Sequence, residues 1–291
     1  MSIDRTGRTI AAALLVVLLT SGCAKIALRM SSPILDNLSA TIFEECDQDL
    51  AERAIPANLK ILEGLLKNDP GNKKILTLLS MGYSGYGMLF LEDEAPERAS
   101  RLYRRALNYG ITALGETGKV LVFQGSREKD IKEALARIGS GDFTTLFWTT
   151  VSWNAWISLN LDKPAALTQL APSRACLEKV LEMNPDFLHG FPYLLMGTSL
   201  AAAPESFGGN SKRAREYFEK ALFVGGGNFF LTQYCYARYY ATRVQNKGLF
   251  FKLIDEIEEG DTHLLRDVCL INTVVKKKAM RLQGMADELF Y

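Results

Sequence analysis

Residues 62–83, LEGLLKNDPGNKKILTLLSMGY, return in outline 115 positions later as residues 177–198, LEKVLEMNPDFLHGFPYLLMGT. In the first stretch apolar residues fall three or four apart up to Leu66. Asn68-Asp69-Pro70-Gly71 then supplies residues that cannot continue a helix. The spacing predicts a helix over 47–67, carried by Leu50, Ala54, Asn58, Leu59, Leu62, Leu65 and Leu66. A second helix follows at once through Ile75, Leu76, Leu79 and Tyr83. Extended without gaps, the match runs from about Leu62–Gly110 onto about Leu177–Gly225. It sets Glu63 on Glu178, Pro70 on Pro185, Gly82 on Gly197, Arg98-Ala99 on Arg213-Ala214, and Tyr103 on Phe218. With a four-residue adjustment, Ile138, Gly141 and Asp142 fall on Ile257, Gly260 and Asp261. Helix stops, glycines and small contact residues kept in one order indicate two tandem copies of a several-helix unit. Strand-like alternation is scarce and short, so the fold class is all-α.

A smaller period lies within each copy. Leu76-x2-Leu79-Ser80-x2-Tyr83 and Tyr193-x2-Met196-Gly197-x2-Leu200 resemble the first-helix pattern of a tetratricopeptide repeat. Ala99-x3-Tyr103-x2-Ala106 and Ala214-x3-Phe218-x2-Ala221 resemble its second, with Pro70 and Pro185 in the closing place. The expected architecture is an α-solenoid of irregular tetratricopeptide-like helix pairs. Between first and second helices, Ser84–Pro96 and Ala201–Ser211 read as extensions, where loops on a regular scaffold meet partners. Glu92, Asp93 and Glu94 lie in the first extension. They have two readings, complementing the dipole of a helix beginning near Pro96 or recognising a cation or partner. After Asp261, Leu264, Leu265, Val268, Cys269, Ile271, Val274 and Val275 suit a C-terminal capping helix, with Lys276-Lys277-Lys278 as its solvated face.

The beginning of the chain reads as an address. Arg5 and Arg8 precede the apolar run Ile10–Leu19, and Thr20-Ser21-Gly22 leads to Cys23. The run is about half the ~20 residues that span a bilayer, which fits a leader and not a retained membrane helix. The small residues before Cys23 resemble a bacterial lipobox. On that reading residues 1–22 are the signal peptide, Cys23 is lipidated, 23–45 form a tether and first helix, and 46–291 form the repeat domain. Ala24 after the cysteine fits the outer membrane. In an oxidising compartment Cys46, Cys176, Cys235 and Cys269 allow three complete pairings. Their wide spacing is unlike a zinc site, and lone buried thiols are the expectation, with no metal.

The chain has 291 residues, 34 Lys+Arg against 33 Asp+Glu, and 2 His. Near-neutral charge without a long basic stretch excludes an electrostatically driven nucleic-acid partner. Gly115-Glu116-Thr117-Gly118-Lys119 lacks the spacing of a phosphate loop, and Gly225-Gly226-Gly227-Asn228 lacks that of a dinucleotide fingerprint. His189 and His263 lie near helix starts, where packing or capping is expected. Neither an enzyme nor a cofactor is expected. Aromatics remain as the binding signal. Tyr83, Tyr86, Phe90 and Tyr193 lie on or beside first helices, and Trp148, Trp153 and Trp156 share about half of one helix's circumference. Facing inward together, they would line an apolar groove for a greasy ligand or partner segment.

The block Ala54–Leu66, then Gly82-Tyr83-Ser84-Gly85-Tyr86, Leu91-Glu92-Asp93-Glu94, Pro96-Glu97-Arg98-Ala99 and Phe207-Gly208-Gly209, resembles the TRAP-transporter-associated T component, a periplasmic tetratricopeptide lipoprotein. The resemblance covers nearly the whole mature chain. It implies a non-enzymatic homotrimer with partly apolar pores. It also implies association with the solute-binding protein of a tripartite ATP-independent periplasmic transporter, and a hydrophobic or organic-acid ligand. The other binding role compatible with the residues is a scaffold in outer-membrane or envelope assembly.

Overall fold

Helix starts and stops follow the local chemistry closely. The computed structural model describes residues 32–290, so the leader and Cys23 lie outside the described residues. α1 (Ser32–Phe43), α2 (Gln48–Leu66), α3 (Lys73–Tyr86), α4 (Pro96–Leu114), α5 (Glu116–Val122), α6 (Glu128–Ala136) and α7 (Phe143–Ser158) form the first half. A one-turn helix, α8 (Pro164–Leu167), leads to α9 (Leu170–Met183), α10 (Phe187–Ala202), α11 (Ser211–Val224), α12 (Phe230–Cys235), α13 (Lys247–Glu259), α14 (Cys269–Gly284) and α15 (Ala286–Leu289). There is no strand among the described residues. Asp47, Asn72, Asn210 and Asn246 each accept a backbone N–H at the first turn of α2, α3, α11 and α13. α4 and α11 begin 115 positions apart, the offset of the sequence match, and the pairs α3–α4 and α10–α11 pack most closely. The chain is an all-α helical repeat.

Packing follows the small residues. Ala99, Tyr103 and Ala106 of α4 and Ala214, Phe218 and Ala221 of α11 are fully buried, so the paired helices approach across their alanines. In α2 the buried line is Ala51, Ile55, Leu59 and Leu62, while Leu50 is 55% exposed. The apolar spacing therefore located the helix correctly and misplaced part of its inner face. Ser84–Pro96 also departs from expectation. α3 runs on to Tyr86 and continues as a π-helical segment over Gly87–Leu91, leaving a link of only Glu92–Ala95 before α4. A second π segment, Tyr236–Ala241, extends α12.

α7 is buried around nearly its whole circumference, as a helix apolar on all sides must be. It packs against α3, α4, α9 and α10, and so joins the earlier helices to the later ones. At the start of α10, Leu188, His189 and Gly190 take left-handed φ values of 47°, 58° and 83°, so the regular helix begins near Phe191. Pro192 then falls in its first turn, where its missing N–H costs nothing.

α14 occupies the capping place and does more than cap. Ile271, Val275, Ala279 and Leu282 join the main core, while Leu270 and Val274 pack with Leu35, Ile55, Leu59 and Leu79 of the first three helices. The last long helix thereby closes the repeat onto its own beginning. Two expectations are corrected here. Cys46 and Cys269 form a disulfide across 223 residues, because closure brings their Cα atoms to 5.2 Å. The lysine trio is only in part a solvated face, since Lys277 is exposed while Lys278 is only 6% exposed. Cys176 and Cys235 are buried free thiols, with pKa values raised to about 12 by burial.

Gly110 tests the α4–α7 contact, because a Cβ there would overlap Thr149 of α7. Gly110→Ala and Ala99→Leu should each cost about 1–3 kcal/mol in urea unfolding. In contrast Gly64→Ala, on an open face of α2 with no atom within 4 Å of the new carbon, should gain about 0.5–1 kcal/mol. Equal midpoints for all three would contradict this packing.

Candidate functional site

Small and weakly polar residues recur at helical spacing on otherwise apolar helices in the middle of the molecule. Val151, Asn154, Ala155 and Ser158 form one face of α7, and Phe191, Leu194, Leu195, Thr198 and Ser199 form one face of α10. Side chains this short leave a mostly apolar cavity of about 60 Å³ between the helices. Its remaining walls are Met88 and Leu89 from one π segment, Leu231, Tyr234, Cys235 and Tyr239 around the other, and Val275 and Lys278 of α14. Both π segments thus border the cavity. Extra residues within a helix turn commonly mark functional positions.

A larger outer cleft of about 680 Å³ adjoins it, lined by Glu92, Asp93, Glu94, Arg238, Arg281, Leu282, Met285 and Leu289 among others. Glu92, Tyr234, Tyr239 and Lys278 belong to the walls of both spaces, so one layer of side chains separates them. That layer is a closed charge network. Lys278 Nζ donates to the Met88 carbonyl at 2.7 Å and pairs with Asp93 at 3.0 Å. Arg238 pairs with Asp93 and donates to the Tyr234 hydroxyl, while the hydroxyls of Tyr103 and Tyr239 donate to Glu92. Burial pushes the Asp93 carboxyl upward, but the charges of Lys278 and Arg238 outweigh it and hold its pKa below the usual range. Burial and the charge of Glu92 push Tyr103 and Tyr239 far above the ordinary phenol value, so both remain proton donors. Two carboxyl side chains and two basic ones are thus paired within one layer.

The residues singled out from sequence go to different places. Trp148 packs among Phe43, Phe147 and Phe191. Trp153 donates its indole N–H to Gln169 at 2.8 Å, and Trp156 lies under Arg104. The three therefore point into separate regions of the core. Tyr86, with Phe90 tilted against it, reaches a peripheral apolar cleft under α1 that Leu35, Ile42, Leu59 and Leu270 also line. Tyr193 stacks loosely on Tyr217 beside Lys220. The aromatic walls of the central cavity are instead Phe191, Tyr234 and Tyr239. Glu92 and Asp93 turn inward to the network, and Glu94 pairs with Arg281 at 2.6 Å. His189 pairs with Asp267 at 2.9 Å.

Tyr83 belongs to a second polar knot. Its hydroxyl donates to Glu63 at 2.7 Å and that of Tyr109 does so at 2.8 Å, with Lys60 and Arg105 paired to the same carboxylate. Burial alone would raise the pKa of Glu63. The hydrogen bonds and the Arg105 charge override it and bring the value down to about 2. A carboxyl depressed in the folded state stabilises above its unfolded pKa and loses that contribution as pH falls toward 2. Glu63→Gln should therefore destabilise at neutral pH by about 1–3 kcal/mol and lose most of that penalty between pH 5 and about 2. A pH-independent difference in unfolding midpoint would refute the assignment.

In the central network, Lys278→Met leaves Asp93 short of a partner and should cost about 3–5 kcal/mol. Adding Asp93→Asn should recover part of the loss, so the double variant unfolds at higher urea than the sum of the single effects requires. Strict additivity would show the two groups to be uncoupled.

A family model described as TRAP transporter T-component matches residues 44–290. The chain is also 25% identical over 276 residues to an uncharacterized protein of Treponema pallidum (strain Nichols), covering 85% of this chain and 81% of that one. Since the family match runs from α2 to α15 and takes in the central cavity, the chain belongs to the TRAP transporter T-component family, an accessory of TRAP transport.

Proposed function

We propose that this chain holds a small, mostly apolar ligand in its central cavity and presents it to the solute-binding protein of a TRAP transporter. The observation that carries this reading is the cavity itself, mostly apolar and bordered by α7, α10, α14 and both π segments. A packed helical core leaves few voids without a use. Apolar walls favour a hydrocarbon body, while Asn154, Ser158, Thr198 and the Lys278–Glu92 layer supply polar contacts for an oxygen-bearing end such as that of an organic acid. The cavity is small, so it suits a slender ligand or one that parts the layer toward the outer cleft.

The sequence supports the setting. Cys23 is the proposed lipid attachment site, and the protein would then face the periplasm from the envelope, with Ala24 after the cysteine favouring the outer membrane. No helix among the described residues is long and apolar enough to cross a membrane. The working assembly is a homotrimer.

Native mass spectrometry of the lipidated protein, purified in mild detergent from its own host, tests this reading. A trimer carrying a solute-binding protein or a bound small molecule is the expected species. Ala155→Leu, which extends an isobutyl group into the cavity, should remove the small molecule and leave the oligomer unchanged. A bare chain that retains only envelope-assembly proteins would favour the scaffold role, and a ligand unaffected by Ala155→Leu would place the site elsewhere.

A further inference from the structure

Two sulfurs and one imidazole meet where the ends of the repeat are clipped together. Cys46 lies two residues before α2, Cys269 opens α14, and His263 lies in the turn before α14. The Nδ1 atom of His263 is 3.5 Å from the Cys46 sulfur and 3.9 Å from the Cys269 sulfur. Its backbone N–H donates to Asp261 Oδ1 at 2.9 Å, which fixes the turn and holds the ring over the sulfurs. The three donor atoms lie within 4.8 Å of one another, and the ring is exposed to solvent.

We propose that the reduced form of this clip is a metal site, in which Cys46, Cys269 and His263 bind a zinc-class divalent cation. Tetrahedral zinc has Zn–S near 2.3 Å and Zn–N near 2.0–2.1 Å, which places each sulfur about 3.6 Å from the nitrogen. The observed separations bracket that value before any metal is considered. Only the sulfurs must part, to about 3.8 Å. Side-chain rotation on Cα atoms 5.2 Å apart supplies that movement. Two thiolates and a neutral imidazole suit zinc and discriminate against magnesium and calcium, which prefer oxygen. Three protein ligands leave a fourth tetrahedral position for water.

Disulfide and metal are alternatives, because both use the same sulfurs. A dithiol reductant supplies two electrons and two protons. The S–S bond breaks to give two thiols, and the reductant closes to its own disulfide. The cation then displaces both thiol protons to solvent as the two sulfur–metal bonds form. Either linkage keeps the start of α2 on α14, so the ring stays closed through reduction provided zinc is present.

The test uses the full lipidated chain in detergent, reduced with a phosphine, freed of reductant under inert gas, and titrated with Co²⁺ as the optical probe before Zn²⁺ competition. One Co²⁺ per chain is expected, with thiolate-to-cobalt charge transfer in the near ultraviolet and tetrahedral d–d bands that Zn²⁺ abolishes. His263→Ala, which keeps the disulfide and folds in the oxidised form, should weaken Co²⁺ binding about tenfold or more. Zn²⁺ should raise the melting midpoint of reduced wild type and not that of reduced His263→Ala. Absence of charge transfer in the reduced wild type would overturn the proposal. So would an unchanged signal in the Cys46→Ser/Cys269→Ser variant, which would assign it to Cys176 and Cys235.

Discussion

A single buried ammonium fixes the relation of the parts that matter. Lys278 rises from the middle of α14 into the interior, where an unpaired charge would cost several kcal/mol. It is satisfied by the Met88 carbonyl at the π segment after α3 and by Asp93 in the link to α4. Asp93 in turn needs Arg238 from the second π segment, and Glu92 beside it takes the hydroxyls of Tyr103 and Tyr239. Neutralising one cation therefore gathers the first copy, the second copy and the closing helix at one place. The cavity lies against that place, and the same side chains form the wall between it and the outer cleft.

This arrangement also explains the π segments. A π turn rotates the following residues relative to a continuous α-helix. One such turn carries Met88 and Leu89 to the cavity wall, and the other carries Tyr239 there with Arg238 beside it. The strained entry into α10 acts in a related way. Three left-handed residues ahead of Phe191 let that helix start where its Phe191–Leu195–Thr198 face lines the cavity.

Much of the fold was legible because its signals are local or periodic. The stop at Asn68–Gly71, the alanines of α4 and α11, and the ordered match across 115 positions each reflect a steric or capping requirement that acts within a few residues. The site was less legible because it depends on which helices meet. Trp148, Trp153 and Trp156 are large enough to suggest a groove, yet α7 is buried on all sides and sends them in three directions. The usable signal was the opposite one: Asn154, Ala155, Ser158, Thr198 and Ser199 are small or polar residues recurring on helices that otherwise favour bulk. Glu92 and Asp93 read as a surface feature because their partners, Arg238 and Lys278, lie more than a hundred positions away. Cys46 and Cys269 could not be paired from spacing for the same reason.

Closure by α14 changes how such a molecule comes into being. An open solenoid can add units one after another, each resting on the last. Here Leu270 and Val274 complete a core begun far earlier in the chain by Leu35, Ile55 and Leu59. The first helices therefore keep apolar surface uncovered until α14 has joined them. Long-range contacts of this kind slow folding and lengthen the exposure of a partly built core. Truncation near the C-terminus would then strip the first helices as well as the last, so the repeat gains or loses its structure as a whole.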